Sequence, residues 1–327
     1  MSVMSSQIDG VMLTPMHFQL RQQCSRLRRQ AAMLSAIFGL CCVPSAMAQA
    51  PENVAVTKVY YPGSQRHDYD IDLLALAFSY PCQQRFELAP SNLDLPKKRA
   101  FDVMNAHQGI DVMYGSANAE RIATYRAVPF PIMRGLMGLR VALVSKEGID
   151  TLKDVHTQPA LARLRVGQFS TWSDTEVLRA NQFNLEAGSD LDGLYQMLAR
   201  GRIDYFPRSV LEIHQNQQQY QHLQLQIDPH ILLYYPTAVY FYVAKDNQAL
   251  ADTLLCGLEQ AQQDGKLNQL FTKYYGGLLA QLQIDKRRVF RLHNPLLPQD
   301  VPLQRPELWY PLLQTNQTPP AADIPPA

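Results

Sequence analysis

The sequence lacks an excess of charge of either sign. Its 30 Lys and Arg face 29 Asp and Glu over 327 residues, a formal charge of +1. A nucleic-acid-binding chain usually carries a basic surplus. An acidic disordered chain carries a strong negative balance. Neither describes this one. No apolar run reaches the roughly 18 residues of a membrane span. Metal-ligand spacings are missing too: the eight His include no HxxxH or HExxH pair, and such pairs set two ligands on one helix face. There is no GxSxG, no phosphate-cradling GxxxxGK[ST] and no SxxK, so no motif marks a nucleophile or a nucleotide. What is present is a 46% apolar composition, enough for real cores, over a length that favours about two domains.

The first fifty residues read as a targeting segment. Arg21, Arg26, Arg28 and Arg29 form a basic region, AAMLSAIFGLCCV (31–43) is an apolar stretch, and Ser45-Ala46-Met47-Ala48 places small residues before Gln49. This is the pattern of a secretory signal peptide over 1–48. Phe38-Gly39-Leu40-Cys41 lacks the small residue that a lipoprotein site needs before its Cys. Removing four arginines and Asp9 with the segment turns the formal charge to −2. The expected location is a bacterial periplasm. Five cysteines fall to two, Cys82 and Cys256. An oxidising compartment permits a bridge between them. Equally, Cys256 sits in a helical pattern where a buried thiol is common.

From residue 54 the pattern is β-α-β-α-β. Strands are expected at 54–60, 85–88 and 110–114, and helices at 70–80 and 95–107. In the first helix Ile71, Leu74, Ala75 and Phe78 share one face. Pro129 and Pro131 stiffen a connection over 125–138 and disfavour a central strand there. The pattern then restarts: strands at 140–145, 164–169 and 203–206, helices at 174–181 and 191–200, and a solvated Gln-rich helix or loop at 214–226. Tyr234-Tyr235-Pro236 marks a second crossing, followed by a strand at 237–244 and helices stopped by Gly265 and Gly276. The tail from Asp285 holds nine of 22 prolines, yet Leu296, Leu297, Leu308, Trp309 and Leu312 make it apolar enough to pack. Residues 314–327 read as disordered. Alternating elements imply mostly parallel sheets flanked by helices. Two α/β units joined by two hinge crossings imply two lobes: 51–134 with 237–284, and 135–236. A packed 285–313 tail follows. A cleft between such lobes is a usual ligand site.

Four stretches carry a resemblance. Gly109-Ile110-Asp111-Val112 with Gly115-Ser116-Ala117-Asn118-Ala119-Glu120-Arg121 is one. Leu164-Arg165-Val166-Gly167-Gln168 after Leu152-Lys153-Asp154 is the second. Ala199-Arg200-Gly201-Arg202-Ile203-Asp204 is the third. Val243-Ala244-Lys245-Asp246 with Asp264-Gly265-Lys266 and Lys273-Tyr274-Tyr275-Gly276 closes the series. Over 54–277 they resemble the bacterial extracellular solute-binding proteins of family 3, the polar-amino-acid ABC transporter type with the type II periplasmic-binding fold. The segments at 130–136 and 294–298, and the tail, mark a divergent subgroup. The resemblance implies that Arg121 grips a ligand carboxylate, a role that suits a planar, permanently charged fork. Ser116 and Asn118 would add hydrogen bonds; the alternative for both is turn chemistry. Trp172 is a candidate platform. Asp174 and Thr175 stand at a helix start, a natural anion site, although Ser173 or Asp174 also suits an N-cap. Tyr60 and Tyr61 are cleft-edge candidates.

One departure stands out. Where amino-acid binders of this family carry an acid for the ligand ammonium, this chain has Asp204-Tyr205-Phe206-Pro207-Arg208-Ser209. Arg208 there favours an anionic ligand. The expectation is therefore a periplasmic, monomeric binder of a small polar, anionic or amino-acid-like solute, without cofactor or metal. Its partner would be an ABC permease, or in the alternative a membrane sensor. An enzyme of the dehydratase kind on the same fold is the third reading. It would need a buried acid or base, for which Glu176 and His67 have no evident partner.

Overall fold

The computed structural model describes residues 56–313. The expected signal peptide over 1–48 and the tail over 314–327 lie outside the described residues. The first half of the chain builds β1 (Thr57–Tyr61), α1 (Tyr69–Phe78), β2 (Phe86–Pro90), α2 (Lys97–Asn105), β3 (Val112–Ser116), α3 (Ala119–Thr124) and β4 (Arg126–Val128). Then come β5 (Leu139–Val144), α4 (Gln158–Arg163), β6 (Val166–Phe169), α5 (Ser173–Ala180), β7 (Leu185–Gly188), α6 (Leu191–Ala199), β8 (Phe206–Ser209), α7 (Ile213–Gln219), β9 (Gln226–Ile227) and β10 (Ile231–Tyr234). The chain closes with β11 (Val239–Val243), α8 (Gln248–Gln263), α9 (Lys266–Phe271), α10 (Gly277–Gln281) and β12 (Arg288–Arg291).

The strands fall into two groups of one design. In the first, β1 and β2 pair in parallel. The Tyr60 amide donates to Asp111 Oδ2 and the Asp111 amide to the Tyr60 carbonyl, both at 2.8 Å, which ties β1 to the start of β3. Antiparallel β11 lies between β3 and β4. In the second, β6 and β7 pair in parallel, and Val166 bridges in parallel to Tyr205 at the foot of β8. Antiparallel β5 lies between β8 and β10. Both groups therefore read second, first, third, return, fourth. In each, the reversed strand is the first one after a crossing. The sheets are mixed α/β sheets in which one strand opposes the others, a refinement of the mostly parallel expectation.

Two features differ from the expected two crossings. Residues 282–288 run back to the second group, where β12 extends the sheet in parallel with β10. That third passage was hidden in the Pro-rich tail. The tail then returns: Arg305 grips Glu259 with two bonds of 2.6 and 2.8 Å, and buried Trp309 donates Nε1–H to the Pro302 carbonyl. A Cβ on Gly135 would lie 2.8 Å from the Trp309 ring, so only glycine lets the indole seat there. Its φ of +80° suits the same residue.

Local chemistry explains the elements. Asp68 caps α1 by accepting from the Ile71 amide, and Asp190 caps α6. The buried face of α1 is Ile71, Leu73, Leu74 and Ala77, while Ala75 is exposed. The face is turned from the expected one because α8 packs close: a Cβ on Gly257 would meet the Ala77 carbonyl at 2.0 Å. Cys82, just past α1, is disulfide-bonded to Cys256 of α8. One buried cluster runs from Val59 and Leu73 through Phe241 to Leu143 and Phe206. A second, around Val144, Val166, Val177 and Tyr205, fills another face of the second group. No helix of the described residues is long and apolar enough to cross a membrane.

Candidate functional site

Arg121 lies in α3, just past the end of β3. Asn118 caps this helix: its Oδ1 accepts from the Arg121 amide at 2.7 Å. The side-chain oxygen of Asn118 is thus committed to turn chemistry. The Arg121 guanidinium donates to the Ser116 carbonyl. It lies 5.0 Å from the Phe101 ring centroid and 5.9 Å from that of Tyr242. A cation over such rings is attracted by their negative faces. Burial pushes the Tyr242 phenol up to about 12, with the Arg121 charge acting against it. Gly115 makes room: a Cβ there would sit 3.2 Å from Phe101 and 3.4 Å from Arg121. No carboxylate lies within ion-pair distance of Arg121 among the described residues. Ser116 is exposed at the same strand end.

A second cation lies over a ring of β3. The Lys97 ammonium lies 4.8 Å from the Tyr114 ring centroid and forms no ion pair among the described residues. Sequence reasoning passed over it. Crowding away from water, then the Arg121 charge, push its pKa down, against the pull of Asp70. Beyond Tyr114 stands a charged loop. Arg66 pairs with Asp68 at 2.6 Å and Asp70 at 3.4 Å and lies over the Tyr61 ring at 5.3 Å. Burial, then the Asp68 charge, push the Asp70 carboxyl up to about 6. Tyr61 is buried and belongs to this set. Tyr60 alternates to the other face of β1, and no side-chain contact ties it to the others.

The residues expected from the second group are largely spent on their own fold. Arg208 is buried, with Nε donating to Asn216 Oδ1 at 2.8 Å and Nη2 paired to Glu212 at 3.1 Å. It stacks 4.3 Å from the Trp172 ring, which also packs on Phe169 and Phe206. Its charge is therefore neutralised from within, which corrects the expectation that it favours an anionic ligand. Glu212, four residues further on, was the overlooked partner. Thr175 is fully buried and donates its hydroxyl to the Phe169 carbonyl. Asp174 pairs with Arg140 at 2.9 Å. Neither is an N-cap, nor is Ser173; Trp172 holds that position without a side-chain bond. With Asp174 and Glu176 in its first turn, α5 offers an anion little at its start. Trp172 keeps a half-buried ring. No hydrogen bond, ion pair or ring contact joins the two sets among the described residues.

A cavity of about 290 Å³ lies elsewhere, lined by Ile122, Tyr125, Arg126, Tyr240, Lys245 and Asp300. The buried Tyr240 hydroxyl has no partner among the described residues. The cations there are engaged: Arg126 donates to the Lys245 carbonyl, and Lys245 to those of Ile122 and Tyr125.

Comparison with known proteins found no matching family model and no matching curated protein. Solved structures do match. The L-cystine solute receptor of Neisseria gonorrhoeae, in its unliganded open conformation, is 13% identical with a TM-score of 0.46; the match covers 68% of this chain and 94% of that one. An ancestral arginine-binding protein bound to arginine is 16% identical at a TM-score of 0.41, over 68% and 98%. An ancestral amino-acid-binding precursor of cyclohexadienyl dehydratase is 15% identical at 0.39, over 67% and 95%.

Proposed function

We propose that this chain is a divergent member of the solute-binding proteins it resembles, a secreted two-lobed receptor. It holds a small carboxylate-bearing solute between its lobes and hands it to an ABC-type membrane partner. The observation that carries this reading is Arg121: a guanidinium seated on two rings and a carbonyl, with no described carboxylate within ion-pair distance. A held cation without a counter-ion favours an incoming anion, and a planar fork favours a carboxylate. Two strand groups of one design, linked by several chain passages, suit a hinge that closes on a ligand. The Cys82–Cys256 disulfide suits an oxidising compartment. Both acid–base candidates are paired with other side chains, Glu176 with Arg179 and His67 with Asp72.

The test is ligand-dependent thermal stabilisation across amino acids and dicarboxylates, in the wild type and in Arg121→Ala. A solute that binds should raise the melting temperature of the wild type. The variant should stay folded and lose at least about 30-fold in affinity, the cost of truncating one side of a desolvated charge pair. Unchanged binding in the variant would refute the role.

A further inference from the structure

We infer that Lys97 and Arg121 form one seat for two negative charges, so that the solute is a small dicarboxylate. This rests on the reading of Arg121 as the ligand anchor and narrows its substrate class. Lys97 and Phe101 are one turn apart on α2, which brings their positions within about 5–6 Å of each other on one face. The Lys97 ammonium stands over Tyr114, and the Arg121 guanidinium over Phe101. Two rings, Tyr114 on β3 and Phe101 on α2, thus each hold one cation near the end of β3.

The helix is also built against its own dipole. Its first turn is Lys97, Lys98 and Arg99 with no acid, and Pro96 supplies no side-chain cap. Cations at a helix start are disfavoured, and a broken local rule tends to mark a functional site. Of the acids near this region, Asp68 and Asp70 share Arg66, whose closer contact goes to Asp68. Among the described residues, neither Lys97 nor Arg121 has a carboxylate within ion-pair distance. A single carboxylate satisfies one of them. A four- or five-carbon dicarboxylate satisfies both, one end in the fork and the other on the ammonium.

Titration calorimetry with succinate, glutarate, acetate and inorganic phosphate tests this, using the wild type, Arg121→Ala, Lys97→Met and Lys97→Arg. The wild type should prefer succinate or glutarate to acetate. Lys97→Met should lose about 10-fold or more toward the dicarboxylate and little toward acetate, and Lys97→Arg should retain most of the preference. Full dicarboxylate affinity in Lys97→Met, with Arg121→Ala inactive, would overturn the two-charge seat and leave the anchor standing. Binding that survives in Arg121→Ala would overturn both. A wild type that takes only phosphate, or none of the four probes, would also refute the dicarboxylate.

Discussion

Asp70 sits where a negative charge is costly, and neutralising it should stabilise the unliganded protein. Its side chain is 13% exposed, and its nearest cation, Arg66, spends its closer contact on Asp68. Burial, then the Asp70 charge, raises the pKa of the Tyr114 and Tyr275 phenols. The rise from the ordinary 3.8 to about 6 corresponds to a ceiling of about 3 kcal/mol. The sign follows from proton binding. Between those two pH values the folded state keeps a proton that the unfolded chain has released. Stability therefore falls as pH rises through that window and stays at the lower level above it. Asp70→Asn keeps the shape and removes the fall. The expected gain is about 1–3 kcal/mol at pH 7.5 and close to zero at pH 4. Urea unfolding of both proteins at the two pH values measures it. An unstabilised variant at pH 7.5, or an equal gain at both, would refute the reasoning.

Other perturbations follow from the fold. Cys82 and Cys256 close a loop with a sequence separation of 174 residues, for which chain entropy allows about 5 kcal/mol and experience about 2–4. Cys256→Ser should lower the denaturant midpoint accordingly, and reductant should bring the wild type to the same value. Trp309 is 3% exposed and seated on Gly135, so Trp309→Ala should cost about 3–5 kcal/mol in equilibrium unfolding. A tail that merely drapes would give a far smaller loss.

Much of this arrangement was legible in the amino-acid order because periodicity and punctuation agreed. The helices at α1, α2, α6 and α8 carry spaced apolar residues and caps or stops, and they formed within a few residues of the expected ends. What escaped depends on neighbours. The strand β10 is a continuous apolar run, buried along its length; the amino-acid order assigns it no element and places only its last residue, Tyr234, at a crossing, because alternation is lost when both faces are covered. The strand β12, four residues of alternating charge and apolar type, gains its identity only from β10. Short α3 and β7 carry too few residues to show a period. At the candidate site, Arg121 is singled out by its motif. The fate of Arg208 is not, since its counter-ion Glu212 lies beyond the compared segment. Lys97 left one trace, three cations at a helix start, which is a signal only once α2 is placed beside Arg121.

The most direct test of the central claim is a crystal structure of the full chain grown with succinate. The expected result is a carboxylate held by the Arg121 guanidinium through paired bonds of about 2.7–2.9 Å, between the two strand groups. Succinate seated away from Arg121, or an Arg121 turned to solvent beside an empty interlobe space, would contradict it.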